Sequence, residues 1–329
     1  MASPGSSRKS VSGSEAGSSS RQSTGGTIPD ALSVEEHGRH WNAYREGKYL
    51  LPNDGDEQDR LDMQHKMWRM RLGNRLHLAP VQNSAQVLDI GTGTGIWALQ
   101  FAAENPLSNV IGTDISMIQP TENLPPNCSF IREDSEEEWI FDKKFTFIHW
   151  RLMVSAFTDH RAMIQKVYDN LVPDGWAEFH EWSCEFLGED AAAEEELRAS
   201  ALGEFAPRLL AGGATTGRDF RVPRKYKRWM LEIGFVDVTE VQVLTPVNGW
   251  PIDPHDRTMG TWACLDLLRL VRATTKILQA GGIPLDEIPI FQEQVCQCLT
   301  QRSMRVYSPS YIIYGRKPSP PQLSSAVSF

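Results

Sequence analysis

The sequence contains no long apolar run: none approaches the roughly 20 residues that a membrane-spanning helix needs. Its first 26 residues, "MASPGSSRKSVSGSEAGSSSRQSTGG", also lack the apolar core of a secretory signal. Both absences predict a soluble protein with no membrane partner. We expect it in the cytoplasm, with the nucleus as the alternative compartment, since Arg8 and Lys9 are too few basic residues to identify a nuclear signal.

Cysteine is scarce and scattered along the chain. The five cysteines include no C-x-x-C pair and no cysteine–histidine spacing that would bind zinc: Cys128, Cys184, Cys264, Cys296 and Cys298. Reduced thiols of an intracellular protein are the simplest interpretation. We therefore predict neither a disulfide framework nor a metal site.

Positive charge is also in short supply. The chain has 33 Lys and Arg against 42 Asp and Glu, which gives a formal net charge of -9. A surface of that sign repels phosphate backbones, so direct nucleic-acid binding is not expected. With 40% hydrophobic and 23% charged residues, the rest of the composition is that of an ordinary globular protein.

The two ends of the chain differ in composition from its middle. Residues 1–27 are rich in serine and glycine and cannot bury enough apolar surface to offset the entropy of ordering, so we predict a disordered tail. Residues 28–318 form one predicted domain, and 319–329 a flexible C-terminal tail. Within the domain we predict a helical front segment over 28–80, a core over 81–246, a helical lid over 247–305 and a last strand within 306–318.

Strand and helix patterns alternate in the middle of the chain, in the order that builds a parallel sheet. Strand "QVLDI", helix "GIWALQFAAEN" and strand "NVIGTDI" form one βαβ unit over 86–115. Before it, Asn53 or Asp54 can cap a helix over 56–76. After it we predict strands at 128–134, 145–151 and 175–182 and a helix at 160–170. "LVPDG", at 171–175, is interpreted as a helix stop and a turn whose glycine is left-handed.

Beyond Cys184 the pattern is mostly helical. Predicted helices cover 191–210, 223–234, 259–279 and 287–302, and a glycine-rich loop, "AGGATTGRD", follows the first of them. Strands are predicted at 235–245 and 309–318. The apolar stripe of "CLDLLRLVRATTKIL" predicts packing on the core, enclosure of an apolar substrate, or contact with a protein partner. If the protein is an enzyme, we expect its substrate pocket to be built from the front segment and the helical block at 247–305.

Three glycines two residues apart follow the first strand of the βαβ unit, in "VLDIGTGTGIW". A strand, a glycine turn and a helix start direct backbone N–H groups and a positive helix end at the carboxyl edge of a sheet, which suits a polar or anionic ligand. A dinucleotide fingerprint would need glycine where Ile96 stands. A phosphate-binding loop would need a lysine after the turn, and none follows Gly95. Both alternatives are disfavoured.

Acidic residues close successive strands around this turn. Asp114 lies about 20 residues past it, where an acid accepts hydrogen bonds from both hydroxyls of a ribose. Asp134 can accept a hydrogen bond from an adenine amino group, or it can cap a helix in "REDSEEEW". Asp89 can reach the ammonium end of such a ligand, directly or through water. These positions together predict a nucleoside-like ligand.

Four segments, "VLDIGTGTGIWA", "VIGTDIS", "FIREDSEEEW" and "LVPDGWAEFHE", together resemble the class I S-adenosylmethionine-dependent methyltransferases. The full pattern is similar to the fungal LaeA-like methyltransferase family of secondary metabolism. The similarity includes the glycine turn, the "IQP…PPNC" segment, the front "YREGKYLLPND…EQDRLDMQH", and the C-terminal "NGWPIDP" and "YIIYGRKP". It extends from Val34 to Pro318.

This resemblance implies an α/β fold with a Rossmann-like seven-stranded sheet, a helical front segment and a helical lid insertion. The last strand, Ser310 to Gly315, is expected to insert antiparallel. S-adenosylmethionine is the implied cofactor, bound by the core over 81–246. The implied cofactor-binding residues are Tyr49, Asp89, Gly91, Gly93, Gly95, Asp114, Ile115, Asp134, Ser135 and His149.

The resemblance also implies what these residues contact. The three glycines line the methionine part of the donor, Asp114 holds the ribose, and Asp134 with Ser135 meets the adenine. His149 and Arg151 lie beside the donor, and the front helix with Tyr49 folds over it.

Methyl transfer from a sulfonium requires alignment and desolvation of the acceptor more than a reactive protein group. Four aromatic residues are candidates for facing the sulfonium: Tyr44, Tyr49, Trp97 and Trp250. For a hydroxyl or acid acceptor, His180 with Glu181 is a candidate base; otherwise His180 is a hydrogen-bonded structural residue. His149 is also a catalytic candidate. His149 and Arg151 either orient a carboxylate of the acceptor or hold the loop after the fourth strand in place.

Two functions of different classes follow from the sequence. The first is a small-molecule methyltransferase that acts on a secondary metabolite, at oxygen in preference to nitrogen or sulfur. The second is a LaeA-type regulator that works on gene expression through a nuclear protein complex, with a regulatory protein partner. The donor motifs and the long helical lid favour the first, and the serine-rich tail is compatible with the second.

Overall fold

The computed structural model describes Met1 and residues 33–44, 47–81 and 85–320. The predicted N-terminal tail, Met1 apart, and almost all of the predicted C-terminal tail lie outside the described residues. Within the described ranges, no helix is both long enough and apolar enough to cross a membrane.

Two sheets are present in the described part of the chain. A short hairpin comes first, with β1 (Ser33–Glu36) antiparallel to β2 (Arg39–Asn42). The strands of the large sheet are β3 (Gln86–Ile90), β4 (Asn109–Asp114), β5 (Cys128–Arg132), β6 (Phe145–Arg151), β7 (Leu171–Trp182), β8 (Leu187–Gly188), β9 (Val236–Pro246) and β10 (Val306–Arg316).

The strands of the large sheet lie in the order β5-β4-β3-β6-β7-β10-β8, and β9 also pairs with β10. The first five strands in this order are parallel, whereas β10 runs antiparallel to β7 and β9. The predicted α/β fold and the antiparallel last strand are confirmed. The two-residue strand β8 is an addition to the seven long strands that the sequence did not indicate.

Helices pack on both faces of the large sheet. They are α1 (Gly55–Arg71), α2 (Ile96–Glu104), α3 (His160–Asn170), α4 (Ala191–Arg198), α5 (Ala201–Thr215), α6 (Tyr226–Ile233), α7 (Pro254–Ala273), α8 (Thr275–Ala280) and α9 (Ile288–Thr300). A 3-10 turn, Val222–Lys225, precedes α6. Among the helix pairs in contact, α1 packs on α7, and α5 packs on α8.

The central strands are buried on both faces, which explains their near-continuous apolar sequences. In β3, Val87 and Leu88 are 0% exposed. Val87 packs with Trp97 of α2 on one face, and Leu88 packs with Ile164 of α3 on the other. Asp89 follows on the same face as Val87 because side chains alternate along a strand. This alternation places the polar end of β3 under α1 and α2.

The front segment is less helical than predicted, since it begins with the β1–β2 hairpin. Helix α1 starts after Asp54, whose side chain accepts a hydrogen bond from the Glu57 backbone N–H at 3.1 Å, so Asp54 rather than Asn53 is the cap. The predicted end at 76 is wrong, because α1 stops at Arg71. Gly73 and Asn74 then take left-handed conformations, with φ of 60° and 65°, and these end a helix.

The predicted helix over 191–210 is two helices, and the predicted glycine-rich loop is mostly helix. Ser200 caps α5, accepting a hydrogen bond from the Gly203 backbone N–H at 3.2 Å, and α5 continues through Gly212 to Thr215. A Cβ on Gly212 would lie 2.0 Å from the carbonyl oxygen of Ile277 in α8. Gly212 therefore allows α5 and α8 to pack closely, and the loop predicted from these glycines is wrong.

The turn predicted at "LVPDG" is also wrong. α3 ends at Asn170 as predicted, but β7 starts immediately at Leu171. Asp174, with φ of 62°, takes the left-handed conformation that was assigned to Gly175. Glycine is required at position 175 for close packing instead, since a Cβ on Gly175 would lie 2.9 Å from the carbonyl oxygen of Val172.

Candidate functional site

One cavity opens at the carboxyl edge of the parallel strands, under α1. It is lined by the loops that follow β3, β4, β5 and β6, and by residues of the front segment, β7, α5, α7 and α8. Nine of the ten predicted cofactor-binding residues line it: Tyr49, Asp89, Gly91, Gly93, Asp114, Ile115, Asp134, Ser135 and His149. The tenth, Gly95, does not.

All three glycines of the turn between β3 and α2 have left-handed conformations. Gly91, Gly93 and Gly95 have φ of 63°, 57° and 80°, which glycine adopts without steric cost. A Cβ on Gly93 would meet only Leu61 of α1, at 3.6 Å, so the backbone here faces open cavity. A Cβ on Gly95 would lie 2.5 Å from the Phe130 ring. Gly93 thus leaves room for a ligand, whereas Gly95 allows α2 to pack on β5.

Asp114 closes β4 next to this turn. Its carboxylate accepts hydrogen bonds from the backbone N–H groups of Gly93 and Ser116, both at 2.8 Å. Burial nevertheless raises the pKa of Asp114 to about 6. Gln119 donates to the Gly93 carbonyl oxygen at 2.6 Å. This network holds the acid against the turn with oxygen lone pairs left for further donors, as a ribose requires.

Asp134 and Ser135 lie at the next strand end, in a turn rather than at the start of a helix. The alternative helix-cap role of Asp134 is therefore wrong. The Glu136 backbone N–H donates to its carboxylate at 3.1 Å, and Lys48 of the front segment donates to it at 2.5 Å. Lys48 also pairs with Glu136 at 3.1 Å. The front segment is thus tied across this end of the cavity.

A buried carboxylate–imidazole pair lies at the ends of β3 and β6. The Nδ1 of His149 is 2.7 Å from Asp89, and the Thr92 hydroxyl donates to the other carboxylate oxygen at 2.6 Å. Burial raises the pKa of Asp89 to about 7 and lowers the pKa of His149. Trp97 stacks on the imidazole with ring centroids 4.0 Å apart. The Nε2 of His149 is buried and has no hydrogen-bond partner among the described residues.

α1 closes the cavity from above through polar contacts. Arg60 is 3% exposed, and it pairs with Glu57 at 2.7 Å and with Asp266 of α7 at 2.9 Å. Asp62 accepts a hydrogen bond from Thr94 of the glycine turn at 2.7 Å. Tyr49 lies in the irregular stretch before α1, not on the helix, and burial raises its pKa. The front segment is thus fixed both to the turn and to the helical lid.

His180 and Glu181 are the sequence candidates that the structure separates from the cavity. Both are 0% exposed and neither lines it. The Nε2 of His180 contacts Glu178 at 2.5 Å. Glu181 accepts hydrogen bonds from Trp150 at 2.8 Å and from the Val154 backbone N–H at 3.1 Å. A base must reach the acceptor, so the assignment of this pair as the base is corrected to a structural role.

Only two of the four aromatic residues predicted to face the sulfonium lie at the cavity. Tyr49 and Trp97 line the cavity, whereas Tyr44 and Trp250 do not. Tyr44 instead stacks under Arg132, 4.8 Å from the ring centroid. Trp250 packs on Tyr307 with centroids 5.2 Å apart.

The cavity has two parts that differ in chemistry. We call the donor half the part lined by Gly91, Gly93, Asp114, Ile115, Asp134 and Ser135, and the acceptor half the part lined by Leu51, Met153, Phe157, Leu209, Phe220 and Ile277. Most residues of the acceptor half could not be predicted from the sequence. The front segment and the block at 247–305 were the predicted walls of the acceptor pocket, but the loop after β6 and helix α5 also supply apolar side chains to it. Such isolated apolar residues look like any core residue in a sequence.

The order of the strands, the glycine turn and the acid that follows the next strand define a class I methyltransferase. A family model described as "Methyltransferase domain" matches residues 62–240, more than half of the chain. The chain belongs to this methyltransferase family and uses S-adenosylmethionine as its methyl donor.

Its relatives include fungal enzymes and regulators. "Methyltransferase pytC" of Aspergillus terreus is 31% identical over 287 residues, which cover 86% of this chain and 87% of that protein. "Probable methyltransferase tdiE" of Emericella nidulans is 29% identical and covers 88% and 92%. "Secondary metabolism regulator laeA" of Aspergillus fumigatus is 29% identical and covers 92% and 82%. The resemblance to the LaeA-like methyltransferases is confirmed.

Proposed function

We propose that this methyltransferase transfers the methyl group to an oxygen of an apolar small molecule, a secondary metabolite. One observation carries the proposal: the donor half and the acceptor half belong to a single cavity. A donor bound over the glycine turn would have its reacting end beside the apolar side chains of the acceptor half. Apolar walls with a few polar groups are typical of small-molecule sites.

The residues of the donor half fit the donor. A Cβ on Gly93 would contact only a methyl group of Leu61, at 3.6 Å, so the backbone here can approach a ligand closely. Asp114 is held by two backbone N–H groups and keeps acceptor capacity for ribose hydroxyls. Asp134 and Ser135 lie one strand further along, where the adenine would extend. S-adenosylmethionine, when bound there, supplies an activated methyl on a sulfonium.

His149 is the residue that we propose as the general base. Asp89 contacts Nδ1 at 2.7 Å, and a carboxylate in that position holds the imidazole in the tautomer with its lone pair on Nε2. Burial keeps the pKa of His149 low, so the ring is neutral before the reaction. The acceptor hydroxyl would give its proton to Nε2 as its oxygen bonds to the methyl carbon, while the bond from that carbon to the donor sulfur would break and leave S-adenosylhomocysteine. The relatives named methyltransferases support this function.

A second function is favoured by the relatives named as secondary metabolism regulators. In that case the fold would act within a nuclear protein complex, and a regulatory partner would bind its surface. The absence of a methylated small-molecule product, together with nuclear accumulation and copurification with transcription regulators, would favour this function.

Metabolite analysis of a deletion strain tests the proposal. We expect mass spectrometry to show a compound that lacks one methyl group, restored when the wild-type gene is returned. Purified protein with S-adenosylmethionine should methylate that compound. An unchanged set of metabolites, or broad loss of many unrelated ones, would contradict a dedicated tailoring reaction.

A further inference from the structure

A layer of polar side chains is buried between α1 and the strands β6, β7 and β10. Trp68 of α1 stacks on His180 of β7, with ring centroids 5.0 Å apart. Arg151 of β6 is in register with His180, and Trp182 of β7 is in register with Ser310 of β10. Partners in register point to the same face of a sheet. All of these side chains therefore lie on the face that α1 covers.

Two guanidinium groups in this layer have no carboxylate within salt-bridge distance among the described residues. Arg151 contacts the Nδ1 of His65 at 3.2 Å, and Arg71 contacts the Ser310 hydroxyl at 3.5 Å. His65 is neutral, because burial and the adjacent Arg151 lower its pKa to about 3. Neither contact neutralises a positive charge.

The carboxylates nearest to Arg151 are engaged with other groups. Asp89 contacts His149 and Thr92, and Asp62 accepts from Thr94. Burial lowers the pKa of Arg151 and of Arg71 to about 10 in each case, and the charge of Arg151 lowers the pKa of Arg71 further. Arg151 and Arg71 are half-buried, and a partly desolvated cation without a partner is unfavourable, so an anion would stabilise this layer.

Three unpaired polar atoms nearby are donors, and Nδ1 of His180 is also unpaired among the described residues. Trp68 and Trp182 each have an indole N–H that is buried and has no acceptor among the described residues. The same holds for the Nε of Arg71. Trp68 is 1% exposed. Buried donors almost always have an acceptor in a folded protein, and here one ligand could supply it.

We propose that Arg151, Arg71 and the indole N–H of Trp182 form a subsite that binds a carboxylate group of the acceptor. Arg151 and Trp182 line the cavity, so the subsite is reached from the acceptor half. Planar guanidinium groups match carboxylates in a bidentate manner. The proposal rests on the proposed function and narrows it to apolar acceptors that carry a carboxylate.

The donor also carries a carboxylate, and the position of the subsite distinguishes the two. The donor lies over the glycine turn at the end of β3, whereas Arg71 lies beside Ser310 on β10. These strands are three apart in the sheet order, which is roughly 14 Å at about 4.8 Å per strand. Only Arg151, on the strand next to β3, is near both ligands. Arg71 and Trp182 are on the acceptor side.

The test is titration of full-length protein, saturated with S-adenosylhomocysteine, with 4-phenylbutyrate and with its neutral amide. Wild-type protein should bind the carboxylate about tenfold more tightly than the amide, since hydrogen bonds to charged groups are the stronger ones. Arg151→Gln should remove this preference, and Arg71→Gln should reduce it. Arg305→Gln is the matched control, because Arg305 pairs with Glu189 on the surface at 2.6 Å and should retain the preference.

Affinity for S-adenosylhomocysteine is measured on the same proteins. An unchanged value in Arg71→Gln with a lost probe preference supports the acceptor subsite. A weakened value with the preference intact would assign these arginines to the donor and overturn the proposal. Failure of wild-type protein to bind S-adenosylhomocysteine would instead contradict the donor site on which the proposed function depends.

Melting temperature provides a second measurement. Replacing sodium chloride by sodium acetate at constant ionic strength should raise the Tm of wild-type protein but not that of Arg151→Gln. If Arg151→Gln does not fold, Arg151→Lys, which keeps the charge, should retain part of both effects. Equal wild-type affinity for the two probes, or absence of binding by both together with no acetate effect, overturns the proposal.

Discussion

The donor half of the cavity consists of backbone and charged groups from short stretches of chain, whereas the acceptor half consists of apolar side chains from elements far apart in sequence. Gly93 and Asp114 are 21 residues apart and share a hydrogen bond. Leu51 and Ile277, in the acceptor half, are brought together only by folding. On the proposed function, we expect donor recognition to depend on local backbone geometry and acceptor recognition to depend on how the front segment and the helices pack. Variants should therefore separate the two halves.

Gly93→Val should have the largest effect on the donor half. The side chain would enter the cavity, and valine resists a φ of 57°. We expect no measurable S-adenosylhomocysteine binding by calorimetry. Gly73→Val is the matched control, since Gly73 has φ of 60° with open space around it and lies outside the cavity. Both variants should lose stability, but only Gly93→Val should lose the ligand; retained binding in Gly93→Val would move the donor elsewhere.

His149→Asn removes the proposed general base. Loss of a general base typically slows a reaction by about 10²- to 10⁴-fold, and we expect kcat to fall within that range. The affinity for S-adenosylhomocysteine should change far less. The measurement is the rate of methylation of the metabolite that accumulates in the deletion strain. An unchanged kcat would show that the Asp89–His149 pair is structural.

Asp114→Ala should weaken donor binding less severely than Gly93→Val. Lost hydrogen bonds to a charged group cost roughly 1.5 to 3 kcal/mol, which corresponds to about 10- to 150-fold in Kd. Calorimetry with S-adenosylhomocysteine measures the change, and Asp142→Ala, at an exposed site, is the control. Equal affinities in Asp114→Ala and wild-type protein would exclude the ribose role.

Glu181→Gln tests a buried residue that accepts a hydrogen bond from the backbone of Val154, which lines the cavity. Burial raises the pKa of Glu181 to about 8 from 4.5. A raised pKa means that the folded state holds the proton more tightly, so its contribution to stability is complete below pH 4.5 and is lost as the pH rises through 8. The free energy of unfolding of Glu181→Gln should therefore fall less than that of wild-type protein between pH 5 and pH 9. Chemical denaturation across this range checks it.

The same variant separates structure from catalysis at Glu181. A structural residue should leave kcat unchanged at pH 7 when it is replaced by its neutral isostere. A large loss of kcat in folded Glu181→Gln would restore the sequence-based assignment of Glu181 to the base.

Ile277→Val should have the smallest effect. Removing one buried methylene costs about 0.5 to 1.5 kcal/mol of stability, and Ile277 is 5% exposed. We expect a modest rise in the KM for the acceptor and an unchanged affinity for S-adenosylhomocysteine. A matched loss of donor affinity would show that the two halves are not independent.

The difference between the halves also explains which predictions from sequence succeeded. The glycine turn, the acid that ends β4 and the alternating elements are local patterns, so the fold and most of the residues that line the cavity beside the glycine turn could be predicted. The helix ends and the glycines of α5 could not, because Gly212 is required by the backbone of Ile277. A sequence pattern does not distinguish a glycine needed for helix packing from one needed for a loop.

The candidate base shows the same limit. His180 and His149 both lie near strand ends in the sequence, and only the folded structure shows that His149 borders the cavity while His180 is covered by Trp68 of α1.

By itself, the sequence determined the class of the protein and predicted the glycine turn and the acid that border the cavity, because these are properties of neighbouring residues. Only the tertiary structure decided the acceptor half, the pairing of Asp89 with His149 and the accumulation of unpaired donors around Arg151. Arg60 and Asp266, which join α1 to α7 at 2.9 Å, are 206 residues apart. Contacts over such distances depend on the packing of the whole chain, and no local pattern encodes them.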